Sequence, residues 1–326
     1  MKKIQEEFVV REDCQRLDVY LSERFRIFTR SQIKKREVAA FKNSGGGFVP
    51  IKLSRSVFLG DRILIEFNEE INLRDYIRPL KLPIGIIYED INLIVVNKPQ
   101  GILSHPCITG LENTVVNFLL YHISGLEDGF KGDKIRPGIV HRLDKDTSGV
   151  LICAKNLETL NFLSIQFKER FVKKVYIAIV KGIPKMSSGI IETFIDRDKN
   201  DRKKFSVYTS RGKRALTEYK VLVNMGNYSL VVLMPKTGRT HQIRVHMKYL
   251  NHPILGDSTY SRVDRDFRDL PLMLHAFKLE INIKEGFLKK FISELPQRFI
   301  DFLSNFYTEE ELGVYVANLV EFLEEF

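Results

Sequence analysis

The sequence lacks the features that mark a secreted, zinc-binding or membrane-spanning protein. Its three cysteines, Cys14, Cys107 and Cys153, are far apart and form no Cys-x-x-Cys pair. Disulfide bonds and a zinc site are therefore not expected. No apolar run follows the N-terminus or approaches the length that crosses a bilayer. We expect a cytoplasmic protein without metal and without membrane contact.

Motifs for nucleotides and redox cofactors are also lacking. The segment Gly238-Arg239-Thr240 resembles the end of a phosphate-binding P-loop. That loop requires a glycine where Leu233 stands and a lysine where Arg239 stands, so the sequence excludes this site.

What the sequence does have is an uneven surplus of basic residues. The formal charge is +10 over 326 residues. Residues 1–80 carry +4, residues 81–300 carry +13 and residues 301–326 carry −7. A basic middle suggests a polyanionic partner such as nucleic acid, although solvated lysines give many proteins a similar charge.

The segment 136–149 carries the clearest chemical signal. Ile139 and Val140 predict one strand, Val150 to Ala154 predict another, and a charged loop joins them. The loop presents Asp144 between basic residues, which favour an ionised carboxylate that can attack carbon without a metal. From spacing alone, a solvated salt bridge is the commoner interpretation.

Three segments together resemble the RluA-type pseudouridine synthases, over about residues 80 to 303. They are His141-Arg-Leu-Asp-Lys-Asp-Thr-Ser-Gly149, Lys174-Val-Tyr-Ile-Ala-Ile-Val-Lys-Gly182, and Thr237-Gly-Arg-Thr-His-Gln-Ile-Arg-Val-His246 followed by His252-Pro-Ile-Leu-Gly-Asp257. Their order and spacing agree with the family, which makes coincidence a poor explanation. The resemblance implies an enzyme that isomerises uridine in RNA and needs no cofactor.

The resemblance also implies roles for individual residues. Asp144 is the implied nucleophile, and Arg244 the arginine that pairs with it. Tyr176 is implied to stack on the target uracil and is a candidate for the final proton removal. Arg142 is implied to help fill the space that the flipped nucleotide leaves. The full set of candidate RNA contacts is Arg142, His141, Arg239, Arg30, Lys34, Lys35, Lys203 and Lys204.

The last five residues of that set come from two basic regions of the sequence. Arg30, Lys34 and Lys35 fall on one side of a predicted helix that begins at Thr29, in a module resembling the S4 RNA-binding domain. A small packing domain is the alternative. Residues 197–215 contain eight basic and two acidic residues and predict an RNA contact, with a solvated hairpin tip as the alternative.

The predicted domains are an S4-like domain at 1–70, a linker at 71–83, a catalytic domain at 84–303 and an acidic amphipathic helix at 304–326. The catalytic domain implied by the family is α+β, with a mixed, mostly antiparallel sheet bent around a central cleft. Structured RNA is the expected partner of a monomer, with large-subunit ribosomal RNA favoured over transfer RNA. A noncatalytic ribosome-assembly factor and a two-carboxylate glycosidase using Asp146 are the other function classes.

Local patterns predict several further elements. Ile91 to Val96 predict a buried strand, and residues 156–171 predict a helix that packs and contributes no site. Thr240 predicts the N-cap of a helix carrying Arg244, with His241 and His246 as hydrogen-bonded core histidines. The 304–326 helix, capped by Thr308 and Glu311, either packs on the catalytic domain or competes with nonspecific RNA through its charge.

Overall fold

In the computed structural model the chain divides into two compact units, Met1–Leu73 and Arg74–Phe326. The structure describes residues 3–24, 33, 37–68, 77–106, 112–130, 136–201 and 204–326. The predicted RNA contacts Arg30, Lys34, Lys35 and Lys203 lie outside the described residues, as do residues 71–76 of the predicted linker. No helix within these ranges is long and apolar enough to cross a membrane.

The N-terminal unit is a small α+β module with one four-stranded antiparallel sheet. Its elements are β1 (Lys3–Val9), α1 (Leu17–Arg24), β2 (Ala39–Asn43), β3 (Phe48–Ile51) and β4 (Arg62–Asn68). The strand order is β1-β4-β2-β3. Leu17 and Leu21 of α1 and Ile63 and Ile65 of β4 are fully buried in one core, so the helix covers one face of the sheet. This arrangement fits an S4-like domain.

The larger unit is built on a second, mixed sheet. Its strands are β5 (Gly85–Glu89), β6 (Leu93–Lys98), β7 (Ser148–Ala154), β8 (Lys173–Lys181), β9 (Ser188–Arg197), β10 (Phe205–Tyr208), β11 (Lys213–Met225), β12 (Tyr228–Pro235), β13 (Leu274–Lys284) and β14 (Phe287–Ile292). The order is β10-β9-β11-β12-β8-β13-β7-β6-β5, with β14 beside β13. Among the described pairs only β13 with β7 is parallel. The predicted mixed, mostly antiparallel sheet is confirmed.

Helices pack on this sheet and cover its apolar surface. They are α2 (Val115–His122), α3 (Leu126–Gly129), α4 (Leu157–Glu169), α5 (Gln242–Tyr249), α6 (Gln297–Leu303) and α7 (Glu309–Glu325). The predicted start of α4 is confirmed, because the Asn156 side chain accepts a hydrogen bond from the Thr159 amide at 2.9 Å. Central strands are buried on both faces, as in β7, where every residue is buried, so they read as continuous apolar runs.

Three local predictions are wrong. Ile139 forms only an isolated bridge to Cys153, so no strand precedes the Asp144 loop. Ile91 is 86% exposed, and the buried strand begins at Leu93. The N-cap of α5 is His241 in a left-handed conformation, and Thr240 does not cap it. No side chain caps the first amides of α5, and the Gln242 Oε1 instead accepts from the Arg239 amide in the preceding turn at 3.0 Å.

Gly149 permits the parallel contact between β7 and β13. It pairs with Ala276 and has a φ of +117°, a conformation that L side chains rarely adopt. A Cβ at this position would lie 2.1 Å from the Ala276 carbonyl oxygen. Any side chain here would push β13 away from the strand that follows the Asp144 loop.

The C-terminal helix α7 packs on the catalytic unit, as one of its two predicted roles requires. Leu319 and Leu323 are 6% and 0% exposed and belong to the largest core. The capping box of Thr308 and Glu311 is present at its start. At its other end the buried Lys278 donates to the Glu324 carbonyl at 2.8 Å, which satisfies one of the last carbonyls of the helix. The electrostatic role of the acidic residues stays a prediction.

Replacing Leu323 by alanine should lower the free energy of unfolding by about 2 to 4 kcal/mol, because the change leaves a cavity in the core. Val314 on the same helix is 61% exposed, so Val314→Ala is the matched control and should cost less than about 0.5 kcal/mol. Urea denaturation of both full-length variants measures the difference. Equal stability of the two variants would show that α7 is not packed in solution.

Candidate active site

A cavity of about 450 Å³ opens beside the Asp144 loop in the catalytic unit. Its walls come from the loop itself, the end of α4, the first half of β8, the segment after β12 and the start of α5. Seven lysines and arginines line it: Arg142, Lys168, Arg170, Lys174, Lys236, Arg239 and Arg244. Asp144 is the one acidic residue of the described lining. The cavity therefore offers a single carboxylate within a basic surround.

Hydrogen bonds from the end of β6 and from the segment that follows it hold the backbone of the Asp144 loop. The fully buried Lys98 donates to the Lys145 carbonyl at 3.0 Å and to two carbonyls of its own segment at 3.0 and 2.6 Å. The Ser104 hydroxyl bonds both the amide and the carbonyl of Leu143, at 3.0 and 2.8 Å. The backbone on both sides of Asp144 is thus fixed, which leaves its side chain to face the cavity. Burial lowers the pKa of Lys98 to about 7, although the negative charge of Asp144 opposes this.

Arg244 of α5 and His241, the N-cap of this helix, approach the Asp144 carboxylate. Arg244 Nη1 lies 3.6 Å from Asp144 Oδ2, and His241 Nε2 lies 3.9 Å from the same oxygen. The Arg244 side chain is 7% exposed and that of Asp144 is 17% exposed. The pairing of Arg244 with Asp144 is therefore a close electrostatic contact in a partly dry site, where it is stronger than in water.

The principal partner of Arg244 is Asp257. Arg244 Nε and Nη2 donate to the two oxygens of Asp257 at 2.7 and 2.8 Å, a bidentate pair. Asp257 is 2% exposed and also accepts from the amides of Thr259 and Tyr260. Burial alone would lower the pKa of Arg244, yet the hydrogen bonds and charge of Asp257 raise it. Asp257 thus fixes the guanidinium so that Nη1 points at Asp144.

His241 is oriented by Tyr260. The Tyr260 hydroxyl accepts from the Phe205 amide at 2.9 Å and lies 2.8 Å from His241 Nδ1. Because Nε2 faces the Asp144 carboxylate, the ring hydrogen is favoured on Nε2, and in that tautomer the Tyr260 phenol donates to Nδ1. Burial lowers the pKa of His241, so the ring is neutral at neutral pH. The prediction of a core histidine is wrong for His241 and confirmed for His246, which bonds Thr193 and Thr217.

Tyr176 lines the cavity from β8. Its neighbours Val175 and Ile177 point to the opposite face of the strand and are buried in the sheet. Burial of the phenol raises its pKa, and the negative charge of Asp144 raises it further. Tyr176 is therefore protonated at neutral pH, which favours stacking and hydrogen-bond donation and disfavours a free tyrosinate base.

The predicted RNA contacts are divided between the cavity and the surface. Arg142 is exposed at the cavity, and Arg239 lines it while donating to the Arg214 carbonyl at 3.0 Å. His141 stacks on Phe167 with 4.5 Å between ring centroids, and burial lowers its pKa to about 3, so it carries no charge for a phosphate. Lys204 lies between β9 and β10, outside the cavity lining.

Sequence reasoning missed four features of the site. They are the buried lysine Lys98, the histidine His241, the carboxylate Asp257 and the phenol Tyr260. Asp257 ends a segment already matched to the family, so its identity was visible but its partner was not. The end of α4 was predicted to pack without contributing a site, yet Lys168 and Arg170 of its last turn and cap line the cavity.

Comparison with known proteins identifies the family. Residues 92–249 match the family model described as RNA pseudouridylate synthase. Ribosomal large subunit pseudouridine synthase D of Borreliella burgdorferi is 62% identical over 326 residues, covering 100% of both chains. The chain belongs to the RluA-type RNA pseudouridine synthases. It is therefore an enzyme of RNA modification.

Two further relatives agree with this family. An uncharacterized RNA pseudouridine synthase of Aquifex aeolicus is 44% identical over 258 residues, covering 78% of this chain and 79% of the relative. The solved structure of human RNA pseudouridylate synthase domain containing 1 is similar with a TM-score of 0.54 and 32% identity. That match covers 66% of this chain and 86% of the human chain.

Replacing Asp257 by asparagine should uncouple Arg244 from its support. Because a buried guanidinium loses its charged partner, we expect unfolding to become easier by about 3 kcal/mol. Turnover should fall on the order of 100-fold, since Nη1 is no longer aimed at Asp144, while RNA affinity changes little. Thermal denaturation, single-turnover isomerisation and RNA binding measure the three effects.

The matched control is Asp269→Asn, which removes the same charge from an exposed residue that follows Asp257 in the chain. It should behave as the parent in all three measurements. A stable and fully active Asp257→Asn enzyme would contradict the positioning role.

Proposed function

We propose that this enzyme isomerises specific uridines to pseudouridine in structured large-subunit ribosomal RNA. The support for the substrate is the name of the Borreliella burgdorferi relative, which refers to the large ribosomal subunit. Transfer RNA is the alternative substrate within the same reaction. The basic lining of the cavity suits either polyanion, so the choice rests on direct comparison of the two RNAs.

The observation that carries the proposal is the placement of Asp144, Tyr176 and Arg244 around one cavity. Its volume of about 450 Å³ lies in the range of small-ligand sites, which suits one extruded nucleoside. A noncatalytic RNA-binding protein has no physical need to bury an arginine next to a carboxylate at such a site. The geometry therefore favours catalysis.

We propose that Asp144 acts as the nucleophile. The reaction breaks the bond between C1′ and N1, rotates the uracil and joins C1′ to C5, after which the C5 proton leaves and N1 gains a proton. Arg244 and the His241 Nε2 hydrogen stabilise the carboxylate and aim its oxygens. Attack at C1′, attack at uracil C6 and assistance to a glycal intermediate all use a carboxylate in this position.

We propose that the target nucleotide is flipped into the cavity. A uridine within a stem or a stacked loop cannot bring its ribose to Asp144 while it stays in the stack. Arg142 is exposed beside Asp144 in the chain, so its guanidinium can occupy the vacated space and stack on neighbouring bases.

Tyr176 is proposed to stack on the uracil and to take part in removal of the C5 proton. Because its phenol is protonated, it can accept a second proton only as it passes its own to another group. Asp144 is close enough to raise the pKa of the phenol and is the proposed acceptor. The S4-like unit is proposed to contact RNA outside the cavity.

Replacing Asp144 by asparagine should abolish isomerisation and leave RNA affinity within a few-fold, because side-chain volume is kept and the nucleophile is lost. Tritium release from C5-labelled uridine measures turnover, on the organism's ribosomal RNA and on its transfer RNA. Release from large-subunit ribosomal RNA only is the expected result for the parent.

Asp146→Asn is the matched control, since Asp146 is exposed two residues away and belongs to the same loop. It should retain turnover near that of the parent. Turnover by Asp144→Asn near the parent rate would remove the assignment, and equal loss in both variants would indicate a two-carboxylate mechanism.

Replacing Tyr176 by phenylalanine should retain stacking and slow loss of the C5 proton, because the phenol no longer relays that proton to Asp144. Since the pKa of Tyr176 is raised, the parent rate should not increase as the pH approaches about 10, the ordinary phenol value. Tritium release from C5-labelled uridine in single-turnover reactions measures this step. Parent-like turnover would assign proton removal to another group.

A further inference from the structure

Lys174 is a partly buried cation that the proposed chemistry leaves unused. It lies on β8 two residues before Tyr176 and lines the same cavity. Its one described hydrogen bond goes to the Thr237 carbonyl at a long 3.5 Å, and no carboxylate of the described residues pairs with it. A partly buried ammonium without a charged partner among the described residues is unfavourable, so its position favours binding of an anion that enters the cavity.

The positive charges around Lys174 also favour binding of an anion. Arg170 and Lys236 act on it electrostatically, and both are positive. Lys236 has its own partner in Glu218 at 2.8 Å, whereas Lys174 has none in the described structure. Burial, together with these two cations, lowers the pKa of Lys174 to about 8. Three like charges that converge on one wall repel each other until an anion arrives.

Lys168 and Arg170 line the same cavity as Lys174, but each has a structural role that Lys174 lacks. Lys168 lies in the last turn of α4 and Arg170 is its C-cap, where positive charge offsets the exposed carbonyls of a helix end. Lys174 belongs to strand β8, so its charge does not stabilise a helix end. Beside the cluster, Phe171 is 69% exposed, and an exposed aromatic ring next to cations is typical of surfaces that bind single-stranded RNA.

We propose that Lys174, Arg170 and Lys168 form a binding site for one phosphodiester of the RNA backbone, next to the nucleotide in the cavity. Side chains two residues apart on a strand are separated by about 7 Å. A nucleotide spans that distance between its base on Tyr176 and its phosphate on Lys174. The proposal rests on the proposed function for the identity of the nucleotide in the cavity.

The site holds the RNA by charge-assisted hydrogen bonds, which are stronger and more directional than contacts with solvated lysines. One bound phosphate also relieves the repulsion that Arg170 exerts on Lys174. The cavity thereby fixes its nucleotide at two points, the base and the backbone.

The test is a binding experiment in full-length Asp144→Asn protein, so that its outcome does not depend on turnover. Synthetic stem-loop RNAs carry a neutral methylphosphonate at one loop linkage after another. We expect one linkage to weaken binding by about tenfold when neutralised, the value for a charged hydrogen bond. Adding Lys174→Met should weaken the unmodified RNA by a similar factor and make that linkage insensitive to neutralisation.

Lys290→Met is the matched control, because Lys290 is an exposed lysine on β14 outside the cavity lining. It should leave the tenfold effect of the critical linkage in place. Retention of that effect in Lys174→Met would overturn the site. Loss of tritium release by the parent enzyme with an intact linkage effect would instead overturn only the proposed substrate.

Thermal denaturation gives an independent measurement. Lys174→Met removes a partly buried charge that lacks a described ion-pair partner, so it should not lower the melting temperature. Inorganic phosphate should raise the melting temperature of the parent more than that of Lys174→Met, if the site binds the phosphate group itself. A larger or equal rise in Lys174→Met would overturn the site, and a rise in the parent without any RNA linkage effect would assign it to free phosphate.

Discussion

The site depends on one buried guanidinium that serves two carboxylates unequally. Arg244 makes its short, bidentate bonds to Asp257, and the contact with Asp144 is longer, at 3.6 Å. This division has a physical reason. A carboxylate bonded tightly to an arginine would have its lone pairs occupied, whereas Asp257 can hold the cation rigidly and leave the oxygens of Asp144, the proposed nucleophile, accessible. Asp257 therefore fixes Arg244, and Asp144 keeps the free lone pairs that its proposed role requires.

The backbone repeats this separation between support and chemistry. Lys98 and Ser104 hold the carbonyls and amide around Asp144, while Gly149 lets the following strand lie against β13 without a side chain between them. None of these groups lines the cavity. The Asp144 side chain is positioned by interactions behind it, so the space in front of it stays free for a nucleotide.

Much of this arrangement could be predicted from sequence, and the rest could not for definable reasons. Local periodicity and capping predicted strands such as β8 and helices such as α4. The resemblance to the family predicted the mixed, mostly antiparallel sheet. The bond between Arg244 and Asp257 joins residues 13 apart whose meeting depends on the tertiary fold. His241 is the N-cap of α5 in a left-handed conformation that no local pattern indicated, because the capping preference of Thr240 favoured a start one residue earlier.

The basic lining gives the buried arginine a further importance once RNA is bound. Arg142 and Arg170 are exposed cations that line the cavity which Asp144 faces. In the proposed complex, RNA phosphates pair with such surface cations and bring their own negative charge. Arg244 is 7% exposed and held by Asp257, so it keeps its place beside Asp144 when the surface cations are neutralised. The carboxylate proposed as the nucleophile inside a polyanion complex thus has a buried cation beside it.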